Sequence, residues 1–194
     1  MKLLLVRHAR PLVPPGTCYG ASDIPADAQH TAQVARALAG RLPAGAHVVC
    51  SPLQRCAALA AAVAVLRPDV HTRFDGRLRE MDFGDWEGRP WQEIAPAEIE
   101  AWTADFAHYR PGAGESVACL LARVARALED TRARALAAGC APAWITHAGV
   151  MRAAMLLAKG QAAPPPANRW PRRVLRFGQS MELVLGQHAR SQSG

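Results

Sequence analysis

The sequence predicts an α/β domain, a three-layer α/β/α sandwich built on a mostly parallel central sheet. Two observations carry this expectation. Short apolar runs of strand length alternate with longer segments of helical periodicity along the whole chain. Three of the short runs also stop abruptly at polar residues, in "LLLVRHA", "VVCSPLQR" and "AWITHAGV". In an open α/β sheet such ends face the edge where ligands bind. At 194 residues the chain can bury a substantial core as a single domain, 1–194. No repeat and no shift in composition divides it.

Taken in order, Leu3–Val6 is the first strand, four apolar residues closed by Arg7 and His8. Residues 28–41 have helical spacing. His47–Cys50 is the second strand, and Ser51 and Pro52 then suit a helix start over 52–66, as N-cap and first-turn residue. His71–Phe74 is a weaker strand. Helical patterns follow over 97–108 and 115–137. Ala143–Thr146 is a third clear strand, and residues 150–159 form the next helix. Val174–Phe177 is a second weak strand, and Met181–Leu185 closes the sheet. Turn residues mark the loops "RPLVPPGTCYGASDIP", "DGRLREMDFGDWEGRP", "YRPGAGES" and "KGQAAPPPANRWP". The tail "GQHARSQSG" is expected to fray.

Half the residues are apolar and a fifth are charged, as in ordinary soluble domains. The net charge of +7 favours anionic partners such as phosphate esters. The densest basic segment, "NRWPRRVLRF", belongs to no nucleic-acid module, so no nucleic-acid partner is expected. No apolar stretch has the length of a signal peptide or a membrane span, so neither a leader nor a membrane partner is expected. Five cysteines without a C-x-x-C pair argue against a disulfide framework or a structural zinc site. Cys50, Cys56 and Cys119 sit among apolar residues and read as small core residues, which suits a reducing cytoplasm.

The strand ends carry the candidate chemistry. Arg55 lies one turn into its helix, where an anion already meets unpaired N–H groups, and its guanidinium adds a fork matched to phosphate oxygens. Thr146, His147, Ala148 and Gly149 repeat the strand-to-helix layout, with backbone N–H groups that can face an anion. The loop "LREMDFGDWEG" holds four acids, Glu80, Asp82, Asp85 and Glu87, among aromatic residues. A carboxyl group near aromatic rings is suited to general acid work.

Four segments, "LLLVRHA", "CSPLQRC", "LREMDFGDWEG" and "ITHAG", come in the order and approximate spacing of the histidine phosphatase superfamily, which includes the phosphoglycerate mutases. "PGAGESV" ahead of a long helix and the closing "MELVL" also match, so the resemblance spans nearly the whole chain. It implies a phosphoglycerate mutase-like fold and a covalent mechanism. His8 would be the nucleophile. Arg7, Arg55 and His147 would hold the phosphoryl oxygens, and Glu80 would protonate the leaving oxygen and then assist water. No metal or other cofactor is implied. The chain departs from the family pattern at Ala9, where glycine is usual, and at Leu59, where threonine is usual. The segment around Ala26, Asp27 and His30 has also diverged.

"GTCYGASDIP" resembles the corresponding loop of α-ribazole-5′-phosphate phosphatases. The stretch between Glu80 and Glu115 leaves little room for the insertion usual in mutases. The expected activity is therefore hydrolysis of a small phosphomonoester. The alternatives are a phosphoglycerate mutase, a phosphoprotein phosphatase and a non-catalytic phosphate-ligand binder. The last is disfavoured because a binder needs neither a nucleophile nor a proton donor. Tyr19, Ser22, Ala148 and Trp86 are candidates for substrate contact. Trp91 and Trp102 are further candidates for the organic part of the pocket, with core packing at least as good a reading of Trp102. The oligomeric state is not set by the sequence.

Overall fold

The computed structural model describes residues 1–172 and 175–186. Among these, the strands are β1 (Lys2–Arg7), β2 (His47–Cys50), β3 (His71–Phe74), β4 (Pro142–Thr146) and β5 (Ser180–Val184). The α-helices are α1 (Ala28–Ala39), α2 (Gln54–Leu66), α3 (Pro96–Ala104), α4 (Val117–Ala138) and α5 (Ala148–Ala158). The sheet order is β3-β2-β4-β1-β5. Neighbours among the first four strands run parallel, and β5 pairs antiparallel with β1.

Both faces of this sheet are buried along its central strands, which is why β1, β2 and β4 read as near-continuous apolar runs, while the edge strands β3 and β5 are largely exposed. Strand alternation divides each run between two cores. Leu3, Leu5, Val49 and Trp144 face one side, where α4 and α5 supply Val117, Leu120, Val124, Met151 and Ala154. Val6, Val48, Cys50 and Ile145 face the other, against Val34 and Leu38 of α1 and Leu59 and Val63 of α2. The result is the expected three-layer sandwich. Trp144 lies at its centre and donates its Nε1–H to Thr131 Oγ1 of α4 at 3.0 Å, so the buried indole keeps a hydrogen bond.

Several sequence expectations shift. The helix predicted from Pro52 begins at Gln54, and Ser51 does not cap it; the N-cap position is Leu53, with no side-chain cap. The helix predicted to reach His108 ends at Ala104, because Asp105 breaks the helical path and accepts the backbone N–H of His108 at 3.3 Å. Cys119 is exposed on α4 rather than part of the core, since its neighbours Leu120 and Leu121 occupy the inner face. The weak strand over 174–177 begins at Val174, outside the described residues, and Phe177 and Gly178 form a turn. Residues 187–194 of the tail also lie outside the described residues. Among the described residues, no helix is long and apolar enough to cross a membrane.

Candidate active site

The register of the sheet assembles the site. Arg7 and Thr146 are paired across β1 and β4, so the next residues, His8 and His147, emerge side by side. His8 N–H donates to the Thr146 carbonyl at 3.1 Å. On the other side of β4, Ser51 N–H donates to the Ile145 carbonyl at 3.0 Å, which places the end of β2 in the same row. The rings of His8 and His147 lie 5.0 Å apart.

His8 is only 2% exposed. Its Nδ1 lies 2.7 Å from the carbonyl of Ala9, an acceptor, so Nδ1 carries the proton and Nε2 keeps a free lone pair. Burial pushes the imidazole pKa down to about 3, and the positive charges of Arg55 and Arg7 push the same way; the Ala9 carbonyl opposes them. His8 is thus a neutral imidazole at physiological pH, with the lone pair of Nε2 uncommitted.

His147 is fully buried, and its Nε2 lies 2.8 Å from the Ser51 hydroxyl and 3.5 Å from Cys56 Sγ. Ser51 Oγ also accepts the Leu53 N–H at 3.4 Å. Burial, then the neighbouring His8 and arginine charges, hold His147 well below the usual imidazole range.

Two arginines flank the histidines. Arg7 donates Nη1–H to the Leu175 carbonyl at 2.6 Å, and its guanidinium lies 4.0 Å over the Phe177 ring. Arg55 is fully buried and donates to the carbonyls of Ser22 at 2.7 Å and Gly20 at 2.5 Å. Among the described residues, Nε of Arg7, Nε of Arg55 and Nδ1 of His147 are all buried with no hydrogen-bond partner. Buried polar atoms without partners are rare. Here two guanidinium nitrogens and one imidazole nitrogen share this condition, on residues whose charges or ring lie close to His8.

Glu80 reaches the site from the loop after β3. Its Oε2 accepts the Gly149 N–H at 2.9 Å in the first turn of α5, and Oε1 accepts the Met81 N–H at 3.1 Å. The approach depends on glycine, since a Cβ at position 149 would collide with Glu80 Oε1. Tyr19 is half-buried close to Arg7, Arg55 and Glu80, and burial raises its phenol pKa against the pull of the two arginines. The structure therefore brings together Arg7, His8, Tyr19, Arg55, Glu80, His147 and the N-terminal turn of α5 at Ala148.

Two substrate-contact expectations change. Trp86 is 1% exposed and packs with Cys18 and Ile94, with its Nε1–H donated to Glu98 at 3.1 Å. It is a core residue of the loop region, because the indole packs into a local cluster with Phe83, Ile99, Trp102 and Tyr109. The Ser22 hydroxyl is bound to Glu87, and its carbonyl to Arg55, so it organises the pocket rather than presenting a free hydroxyl. Glu87 was one acid among four in the sequence. It accepts the backbone N–H groups of Ala21 at 2.8 Å, Ser22 at 2.6 Å and Phe83 at 3.0 Å. Burial works against its charge, but these hydrogen bonds outweigh that and hold its pKa below the usual carboxylate value.

A cavity of about 140 Å³ opens beside Glu80 and Gly149, lined by Phe83, Trp102, Phe106, Trp170 and Arg152. Trp102 Nε1 and Arg152 Nε are buried without partners among the described residues. Arg152 carried no signal in the sequence beyond its position three residues after Gly149, which places both on one face of α5. Trp91 stacks on Trp102 at 6.4 Å and is partly exposed.

Comparisons with known proteins identify the family and the fold. Residues 3–173 match the family model described as "Histidine phosphatase superfamily (branch 1)". No curated protein is similar enough in sequence to match. The structure of mycobacterial glucosyl-3-phosphoglycerate phosphatase superposes with a TM-score of 0.74 at 25% identity, over 93% of this chain and 88% of that one. Its complex with inorganic phosphate gives a TM-score of 0.76, also at 25% identity, over 93% of this chain and 88% of the other. TTHB049 from Thermus thermophilus is 35% identical, with a TM-score of 0.64, over 91% of this chain and 98% of that one. With the family model covering most of its length, this chain belongs to the histidine phosphatase superfamily, branch 1, and is a phosphatase.

Proposed function

We propose that this phosphatase is a metal-independent phosphomonoesterase that hydrolyses a small phosphorylated metabolite through a phosphohistidine at His8. The supporting observation is the set of three unpartnered buried nitrogens, on Arg7, Arg55 and His147, gathered around a neutral His8. These donors suit the oxygens of a phosphoryl group, whose charge redistributes as the bond to the leaving group breaks.

In the first step His8 Nε2 attacks phosphorus in line. The N–P bond forms as the P–O bond to the alcohol breaks, and the carboxyl proton of Glu80 passes to the departing oxygen. In the second step water attacks phosphorus, the N–P bond breaks, and the Glu80 carboxylate takes up the water proton. The products are the alcohol, inorganic phosphate and the original enzyme.

For the alcohol, the loop "GTCYGASDIP" favours α-ribazole 5′-phosphate. The aromatic cavity beside Glu80 suits a flat base, and the unpartnered Trp102 Nε1 and Arg152 Nε are donors for its one free ring nitrogen and the ribose oxygens. The phosphoglycerate ester named for a structural neighbour is the competing substrate to include in a panel.

The test is a hydrolysis panel with EDTA present, coupled to trapping. Phosphohistidine is acid-labile and base-stable, so label captured at alkaline pH should disappear in acid and be absent from His8→Ala. Label that survives acid, or that remains in His8→Ala, removes the phosphohistidine mechanism. Preferential hydrolysis of the phosphoglycerate ester over α-ribazole 5′-phosphate removes the specific substrate and leaves the mechanism intact.

A further inference from the structure

Arg123 lies on α4, outside the ring of residues around His8, yet it is tied to the backbone that carries Glu80. Its Nη1 donates to the carbonyls of Arg77 at 2.6 Å and Arg79 at 2.8 Å, and its Nη2 donates to the carbonyl of Glu80 itself at 3.2 Å. Glu115, just before α4, holds the other edge of the guanidinium, with Oε1 accepting Nε–H at 2.6 Å and Oε2 accepting Nη2–H at 2.8 Å. Glu115 N–H in turn donates to the Asp82 carbonyl at 2.7 Å. The loop is therefore gripped on both sides of Glu80, at residues 77, 79, 80 and 82. This gives the "GES" segment ahead of the long helix a physical role.

We infer that Arg123, locked by Glu115, is a positioning residue for the proton transfer made by Glu80. This rests on the reading of Glu80 as general acid. The Glu80 carboxyl group has to meet the leaving oxygen within hydrogen-bond reach. A loop without regular secondary structure does not hold that placement by itself, and a misplacement of about 1 Å can cost about 10²-fold in rate. The bonds from Gly149 and Met81 hold the carboxyl group only while the backbone at Glu80 stays in place, and a rigid planar fork bonded to the carbonyls of Arg77, Arg79 and Glu80 fixes that backbone as a lysine cannot.

A merely structural arginine and a positioning arginine differ in what their loss does to leaving-group dependence. An alkoxide needs a proton as it departs; p-nitrophenolate does not. The measurement is single-turnover phosphoryl transfer to His8 from an alkyl phosphate and from p-nitrophenyl phosphate. It is made in the wild type, Glu80→Gln, Arg123→Lys, Arg123→Met and Glu115→Gln. Arg67→Met is the control, because Arg67 likewise donates to three backbone carbonyls, those of Ala39, Leu42 and Pro43, far from Glu80.

Arg123→Met should lower the alkyl-to-aryl rate ratio by about tenfold or more, in the same sense as Glu80→Gln. Arg123→Lys and Glu115→Gln should lower it less, and Arg67→Met should leave it at the wild-type value. The milder pair keeps the test available if Arg123→Met fails to fold. If Glu80→Gln shifts the ratio and the folded Arg123 and Glu115 variants do not, the positioning role is overturned and Glu80 keeps its assignment. If Glu80→Gln itself leaves the ratio unchanged, the acid assignment falls and the inference falls with it.

Discussion

The hydroxyl of Ser51 lies 2.8 Å from Nε2 of His147, across 96 positions of sequence. The contact joins the end of β2 to the end of β4 and holds the buried His147 ring in one orientation, leaving its Nδ1 without a partner among the described residues.

Ser51→Ala should therefore lower kcat/KM by about tenfold, the scale of one lost hydrogen bond of about 1.4 kcal/mol. Ser51→Thr, which keeps the hydroxyl, should recover part of the loss. Steady-state kinetics on all three proteins checks this. Equal activity in Ser51→Ala and wild type would show that His147 keeps its orientation without help.

The two buried histidines make folding stability depend on pH. His8 titrates near 3 in the folded protein and near 6.5 when exposed, and His147 is shifted in the same direction. Between those values the unfolded chain binds protons that the folded one does not. Stability from these groups is present above about pH 6.5 and lost as pH falls below it, for His8 through the window down to about 3, at up to about 1.4 kcal/mol per pH unit for each histidine. Urea unfolding at several pH values should show this slope, and His8→Gln should reduce it by about one proton. The fall in catalytic rate between pH 7 and pH 5, if any, should not come from protonation of His8.

Gly149→Ala should separate activity from stability. The added methyl would collide with Glu80 Oε1, whereas alanine is favoured over glycine within a helix by up to about 1 kcal/mol. Turnover of an alkyl phosphate should drop by about 10²-fold, the scale for general acid catalysis, with the melting temperature unchanged or raised. Retained turnover would place the working proton donor elsewhere.

Glu87→Gln should weaken phosphate binding without touching phosphate. Glu87 accepts four hydrogen bonds, from the backbone of Ala21, Ser22 and Phe83 and from the Ser22 hydroxyl. It thereby holds the loop whose carbonyls at Gly20 and Ser22 seat Arg55. Glutamine can accept fewer of those hydrogen bonds and leaves a donor in their midst. Stability should fall by about 1–3 kcal/mol, and the inhibition constant for inorganic phosphate should rise about tenfold. Because the Glu87 pKa is depressed in the fold, its contribution is present above about pH 4.3 and lost as pH falls below that. A mutant with normal phosphate inhibition would show that Arg55 holds its place alone.

By itself, the sequence determined the alternation of strands and helices and the residues delivered at the strand ends. Arg7, His8 and His147 were legible because each interrupts an apolar run at the point where a buried strand must emerge. Arg55 was legible because it lies one turn past such a point. The partners of these residues were not legible. Ser51 read as a helix cap and instead bonds to His147, because the parallel pairing of β2 with β4 places the two strand ends in one row. Trp86 read as a pocket residue and is in the core, because loop residues have no periodicity to say which way a side chain turns. Arg123 and Glu115 are eight residues apart on or beside one helix, yet what they hold lies 43 residues from Arg123, in the Glu80 loop. Local spacing specifies which residues leave a strand or share a helix face. Which of them meet is decided only when the two layers of helices close on the sheet and bring distant strand ends and loops within hydrogen-bond reach.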